Sequence, residues 1–206
     1  MALAVPADFD AWAKKSVDSD HQDELNNCVS FAQSWIAREA GLRSLEKESA
    51  AVTTYFDRDD AFGDDLWLPM SHRPMWHTGS DLVTVLESGE AVTVAVGYST
   101  TAGAVLRGVH SMDRPRLSRV GGWANGQTIQ NNIAVACKVG FDGNSTATTN
   151  ACPADVKRLV MEVAWLMFQG ANRFGIANTS KGGSSADITN DLTPMSQAAL
   201  ERLRGI

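Results

Sequence analysis

Cysteine is scarce in this chain, with three in 206 residues, at positions 28, 137 and 152. None forms a Cys-x-x-Cys pair or a Cys/His cluster, which excludes a zinc frame and a disulfide framework. Buried, reduced thiols in a cytoplasmically made protein are what remains. Histidine is nearly as rare. His21 falls in a first helical turn and reads as solvated, and His72 and His77 bracket Pro74-Met75-Trp76 on non-helical chain, a spacing that makes no metal frame. Gly-x-Ser-x-Gly, His-Glu-x-x-His and the glycine-rich dinucleotide loop are all missing. Lys181 precedes its glycines, so Asn178 to Ser185 is no phosphate loop. The acidic stretch Asp57–Asp65 fails as a calcium loop, because Ala61 stands where an acid is needed and Phe62 where a glycine is. No metal, cofactor or catalytic residue is expected, and the chain does not read as an enzyme. No apolar run is long enough to cross a membrane. Met1-Ala2-Leu3-Ala4-Val5-Pro6 lacks the charged start of a signal peptide. The net charge of −6 argues against wholesale nucleic-acid binding through a basic surface.

What the sequence does have is one strong helix, from Pro153 to about Gly170. Pro153 suits a first turn, and Asp155 lies on the favourable side of the helix dipole. Val156, Leu159, Val160, Val163 and Met167 recur at the spacing of one buried face. Met161, Ala164, Trp165, Leu166 and Phe168 fall on the other faces. A helix apolar nearly all round is enclosed on several sides, by its own chain or by other subunits.

Upstream, Pro6 to Lys15 reads as a short helix. Ser19-Asp20-His21-Gln22 fits a capping box for a second helix, which buries Leu25, Cys28, Val29, Ala32, Trp35 and Ile36 and closes at Gly41. From Glu48 to Phe141 the period changes to that of strands. The segments 51–56, 66–68, 82–86, 91–96, 105–106, 117–120 and 128–139 are candidates. Glu87-Ser88-Gly89-Glu90 is a hairpin turn, and both glutamates read as solvated. Ile133, Val135, Cys137 and Val139 alternate to one face. After the long helix, 177–185 is small and polar, a flexible tether. The segment from Pro194 can form a short helix with Leu200 and Leu203 exposed.

The order of these pieces carries a resemblance. Leu25-x2-Cys28-Val29-x2-Ala32-x2-Trp35-Ile36 with Gly41 comes first. Tyr55-Phe56-Asp57, Leu66-x-Leu68-Pro69, Arg73-Pro74-Met75 and Asp81-Leu82-Val83-Thr84-Val85 follow. Then come Trp123, Ile133-Ala134-Val135, Gly140-Phe141, Pro153-Ala154-Asp155-Val156-Lys157 and Asn172-Arg173-Phe174-Gly175. The pattern is similar to the phage head–tail connector family, the adaptor or head-completion proteins that dock on the portal. It departs from small adaptors in its longer β region, His77 to Val120.

The resemblance implies a single α+β connector domain over 1–206. A small helical bundle (the N-terminal helix pair at about 8–44 plus the long helix at 152–175) would carry an inserted antiparallel β region at about 48–142 and an extended C-terminal tail at about 177–206. It implies a non-enzymatic virion protein that forms a ring, usually of twelve subunits, between the portal and the next neck or tail protein. Genomic DNA would pass through without sequence-specific binding. Subunit contacts would use Met161, Trp165, Leu166 and Phe168, and would pair Asp59 and Asp60 with Arg114 and Arg116 of a neighbour. Leu200, Arg202, Leu203, Arg204 and Ile206 would reach the portal. Other neck roles, head closure or tail completion, fit the same pattern. A carbohydrate-binding or enzymatic β module is the remaining reading, with Trp67, Trp76 and Trp123 as its surface, since Trp12, Trp35 and Trp165 take helical core positions.

Overall fold

The computed structural model describes residues 3–13, 18–78, 81–96, 103–108, 114–119, 121–123, 131–143, 150–174, 188–189 and 191–205. The chain divides into two compact units. One is Met1–Glu46 with Phe141–Ile206, and the other is Lys47–Gly140.

The second unit is all β among its described residues apart from short 3-10 turns. β1 (Val52–Phe56), β4 (Thr84–Glu87), β5 (Glu90–Val92) and β9 (Ile133–Cys137) form a four-stranded antiparallel sheet in the order β1-β9-β4-β5. β2 (Ala61–Phe62), β3 (Asp65–Trp67), β6 (Val94–Val96), β7 (Ala104–Arg107) and β8 (Arg116–Arg119) form a five-stranded sheet in the order β2-β3-β8-β7-β6. The hairpin at Ser88-Gly89 is present, with φ of 50° and 86° and Glu87 paired to Glu90, the backbone a two-residue turn of type I′ requires. The run 91–96 is not one strand. It breaks at Thr93, so that β5 stays in the first sheet and β6 pairs parallel with β7 in the second.

Alternation places the core. Ile133, Val135 and Cys137 point inward along β9, and Val139 follows in the same phase. They share one cluster with Phe56, Val83 and Val85 and with Leu66, Leu106 and Leu117 of the second sheet. Glu87 also lies on the inner face of β4. It is buried rather than solvated, and it accepts from Arg119 Nε at 3.1 Å. The polar phase of the strand ends one residue before the turn, and β8 supplies the cation that makes a buried carboxylate tolerable.

Asp81 ties down the loop before β4. Lys138 Nζ and Lys47 Nζ each lie 2.8 Å from one of its oxygens, and Lys47 also sits over the Trp76 ring. Hydrogen bonds from Lys138 and Lys47 hold the Asp81 carboxyl below the usual carboxylate range. Its folded pKa lies under the unfolded one. The stabilisation is therefore complete above about pH 4 and is lost as pH falls through the folded value. Asp81→Asn is expected to lower the thermal midpoint at neutral pH, with the gap from wild type closing as the solution is acidified. A gap that stays constant down to acid pH would refute the assignment.

In the other unit α1 (Pro6–Ala13) leads to α2 (Gln22–Glu39), which packs on α3 (Ala154–Phe174). α4 (Pro194–Arg204) packs on α3 and touches α2. α2 ends as its sequence requires. Gly41 takes φ +65° and Leu42 N–H donates back to Ala37 C=O at 2.8 Å. The capping box does not form. Ser19 opens a 3-10 turn, Ser19–His21, and α2 starts after His21 with no side-chain cap.

The expected architecture is corrected here. A small helical bundle with an N-terminal helix pair, an inserted antiparallel β region and an extended tail is not what the chain builds. By number of elements strands prevail: nine of them, in two sheets of four and five, against four α-helices of eight residues or more among the described residues. α1 is only two turns long, and one strand pair is parallel. Nor is the C-terminal stretch extended, since 194–204 is helix, with Leu200 and Leu203 buried rather than exposed. The physical reason is range. β1 pairs with β9 from Val52↔Cys137 to Phe56↔Ile133, a pairing no local period reveals.

Candidate functional site

The sites in question are surfaces, so the question is what covers each apolar or charged group. Among the described residues no three His, Cys, Asp or Glu side chains come together to hold a metal, and no helix is long and apolar enough to cross a membrane. Burial raises the Cys28 thiol pKa and pushes that of Cys152 up to about 12, which keeps both protonated and poorly nucleophilic.

The acidic stretch 57–65 folds into a 3-10 turn, Arg58–Asp60, followed by the β2–β3 hairpin. Asp60 accepts from the Asp57 backbone N–H at 2.8 Å and Asp57 accepts from Asn131 N–H at 2.5 Å, which pins the turn. Arg58 turns inward, donating from Nε to Trp123 C=O and from Nη1 to Ala61 C=O. The aspartates face outward, and between them Phe62 is 87% exposed. Gly63, at φ +63°, makes the tip.

Of the closely spaced arginines 107, 114, 116 and 119, the last three are engaged within their own unit. Arg116 pairs with Asp65 at 3.0 Å, and Arg119 pairs with Glu87. Arg114 donates to Leu68 C=O, and the guanidiniums of Arg114 and Arg116 both lie over Trp67. Asp60 and Arg114 line one cleft of about 590 Å³ with Phe56 and Trp67. So Asp60 and Arg114 are brought together within a single chain, while Arg116 finds its carboxylate in Asp65. The three tryptophans offered for a sugar platform do not share a surface. Trp76 and Trp123 are buried, their indoles donating to Gly140 C=O and Asp64 C=O, and Trp67 alone of the three is exposed. His72 is buried, with Nε2 3.0 Å from Thr54 Oγ1.

On α3, Met161 and Phe168 are buried within the helical unit, and Trp165, Leu166 and Met167 are half-buried. Trp165 and Phe168 stack at 5.7 Å, and His21 meets Phe168 edge-on. Trp165, Leu166 and Met167, on successive faces of the helix, are what this chain leaves partly open. On α4, Leu200 and Leu203 are in the core, Arg202 Nη2 lies 2.6 Å from Asp155, and Arg204 lies 3.3 Å from Glu39. Ile206 and the segment 177–185 lie outside the described residues.

Sequence reasoning missed two features. Glu162, buried on α3, accepts from Thr193 N–H at 2.6 Å, Thr193 Oγ1 at 2.9 Å and Ser196 Oγ at 2.5 Å. It is a carboxylate supplied from α3 to the positive end of α4. The signal was a lone acid in an apolar helix. The second is the outer face of the first sheet. Tyr55, Ala134, Leu86 and Ala91 lie in one row across its four strands, and Thr53, Ala136 and Thr84 in another. Tyr55 is 59% and Leu86 43% exposed, and none of the seven carries a charge. β1 is an edge strand, Val-Thr-Thr-Tyr-Phe, without the lysine or proline that guards such edges.

No family model matches the chain, and no curated protein matches it. Solved structures do. A chain in the virion of a native gene transfer agent (GTA) particle superposes with a TM-score of 0.50 at 18% identity, over 98% of this chain and 92% of that one. The chain shares its fold with a gene transfer agent virion protein. Chains in the neck of the native GTA particle computed with C12 symmetry (TM-score 0.49, 18% identity, 98% and 91% covered) and in the neck of the empty particle computed with C6 symmetry (0.49, 18%, 92% and 82%) are also similar. At that identity the likeness is one of fold.

Proposed function

We propose that this protein is a structural subunit of the neck of a tailed phage or phage-like particle. It acts as a head–tail connector, an adaptor ring beneath the portal that links capsid to tail and leaves a channel for DNA. The observation that carries the reading is the fold shared with the GTA virion chain along nearly the whole of both chains. The linear order of the connector-like sequence pieces, from Leu25 to Gly175, supports it independently. Uncharged and aromatic groups on the outside, Tyr55, Leu86 and Phe62, suit a protein whose working state is an assembly. A net negative subunit suits a channel that DNA must leave as well as enter.

In this reading the subunits contact one another, the portal above and the next neck or tail protein below. Leu200 and Leu203 take no part in portal contact, because they hold α4 to its own unit. The exposed side of α4, with Met195, Ala198 and Arg202, is what remains for it. The test is genetic. Particles assembled without this protein are expected to accumulate as heads and tails that do not join, and adding the purified protein back is expected to join them. Tailed, DNA-delivering particles formed in its absence would overturn the reading.

A further inference from the structure

A second surface, in the helical unit, answers the Phe62 hairpin. α2 lays Phe31, Ser34 and Arg38 along one exposed stripe, at i, i+3 and i+7. Beside that stripe is a cleft of about 440 Å³. Ala37, Leu42 and Leu45 give it an apolar floor, and Arg38 and Arg43 stand on its rim. Phe31, 68% exposed, lies one turn of α2 before Ser34. Of the residues that line it, Arg38 and Arg43 are cations and Glu46 is the one carboxylate. Glu46, the acid lining the cleft, accepts from Gln33 Nε2 at 3.1 Å.

The hairpin is the complement in shape and in charge. Between residues 57 and 64 it has four aspartates and one arginine, and that arginine is turned inward onto backbone carbonyls. Its tip offers an aromatic ring ringed by carboxylates, and the cleft offers an apolar floor rimmed by guanidiniums.

We propose that the Phe62 hairpin of one copy seats in the α2 cleft of the next, with Phe62 over Ala37, Leu42 and Leu45 and Asp59 facing Arg38. The occupant is a second copy of this chain. The two surfaces differ, so the contact is heterologous, and copies joined this way form a ring when the rotation closes. The proposal rests on the ring reading above and names the contact that builds it. The buried ring supplies the affinity, and the charges set register and encounter rate.

The test uses the full chain. Phe62→Ala changes a side chain that is almost wholly exposed, so the fold is retained, which circular dichroism checks. Association measured by sedimentation is expected to weaken about a hundredfold. Asp59→Lys and Arg38→Glu are each expected to weaken it about tenfold, and the double variant, which restores the pair with its signs exchanged, to recover most of the loss. Asp64→Cys, which keeps Phe62 and changes an exposed residue beside it, mixed with Ser34→Cys is expected to give a disulfide-linked dimer under oxidation, and one chain carrying both to give a ladder, against a wild-type control. Rings that form equally well with Phe62→Ala, or mixed single-cysteine variants that do not cross-link, would overturn this contact and leave the ring reading standing. A hairpin needed for portal binding but never cross-linked to Ser34→Cys would also overturn it. Wild-type protein that forms no ring with or without the portal would defeat the ring reading itself.

Discussion

A chain ending at Asp187 is expected to lose the fold of its helical unit. The segment removed carries Leu192, Leu200 and Leu203, all buried. Each fully buried leucine contributes roughly 1.5–3 kcal/mol, so the three together contribute about 5–9 kcal/mol. The cut also strips Glu162 of the donors on Thr193 and Ser196 and leaves its carboxylate on α3 without those bonds. A buried charge that loses its partners costs several kcal/mol more. The sum is comparable with the whole net stability of a domain, about 5–15 kcal/mol. The truncated protein should be insoluble, or should show no cooperative thermal transition for the helical unit. If it melts as the full chain does, α4 contributes nothing to folding and the segment is a docking tail after all.

Met161→Asp and Leu166→Asp are expected to separate folding from assembly. Met161 is 9% exposed, within the core of the helical unit. An aspartate there is an unpaired carboxylate away from water, with an expected loss of about 3–5 kcal/mol and a midpoint lower by roughly 10 °C. Leu166 is half-buried, one turn away from Glu162. Its aspartate variant should lose only about 1–2 kcal/mol and remain a folded monomer. Any large effect should then appear in light scattering of the assembly. Equal destabilisation by the two substitutions would contradict the burial difference. Normal assembly by Leu166→Asp would mean that Leu166 faces solvent in the ring.

What was legible in the sequence followed local rules. The α3 period, the Gly41 stop, the Ser88-Gly89 turn and the alternation of Ile133, Val135, Cys137 and Val139 each depend on residues close in the chain, and each is present. What failed depended on distant partners. Glu87 reads as solvated beside a turn until Arg119 arrives from another strand. Leu200 and Leu203 read as an exposed tail because nothing near them in sequence shows that Glu162 and the α3 face await them. The split of 91–96 at Thr93 is invisible in a run of valines and alanines. β2, Ala61–Phe62, had no candidate at all, for a related reason. Strands of two to five residues carry little period of their own and exist because a partner far along the chain completes them. Of the candidate interface residues, the sequence picked out the acidic stretch but treated Phe62 only as an obstacle to calcium. Its exposure at the hairpin tip is what gives that stretch a use.

The central claim, a ring-forming neck protein, is tested most directly by electron microscopy of the purified full chain with and without portal rings. Class averages are expected to show a second ring stacked coaxially on the portal, with an open channel wide enough for duplex DNA along the shared axis. Portal rings that stay bare at saturating concentrations of the folded protein would contradict the account.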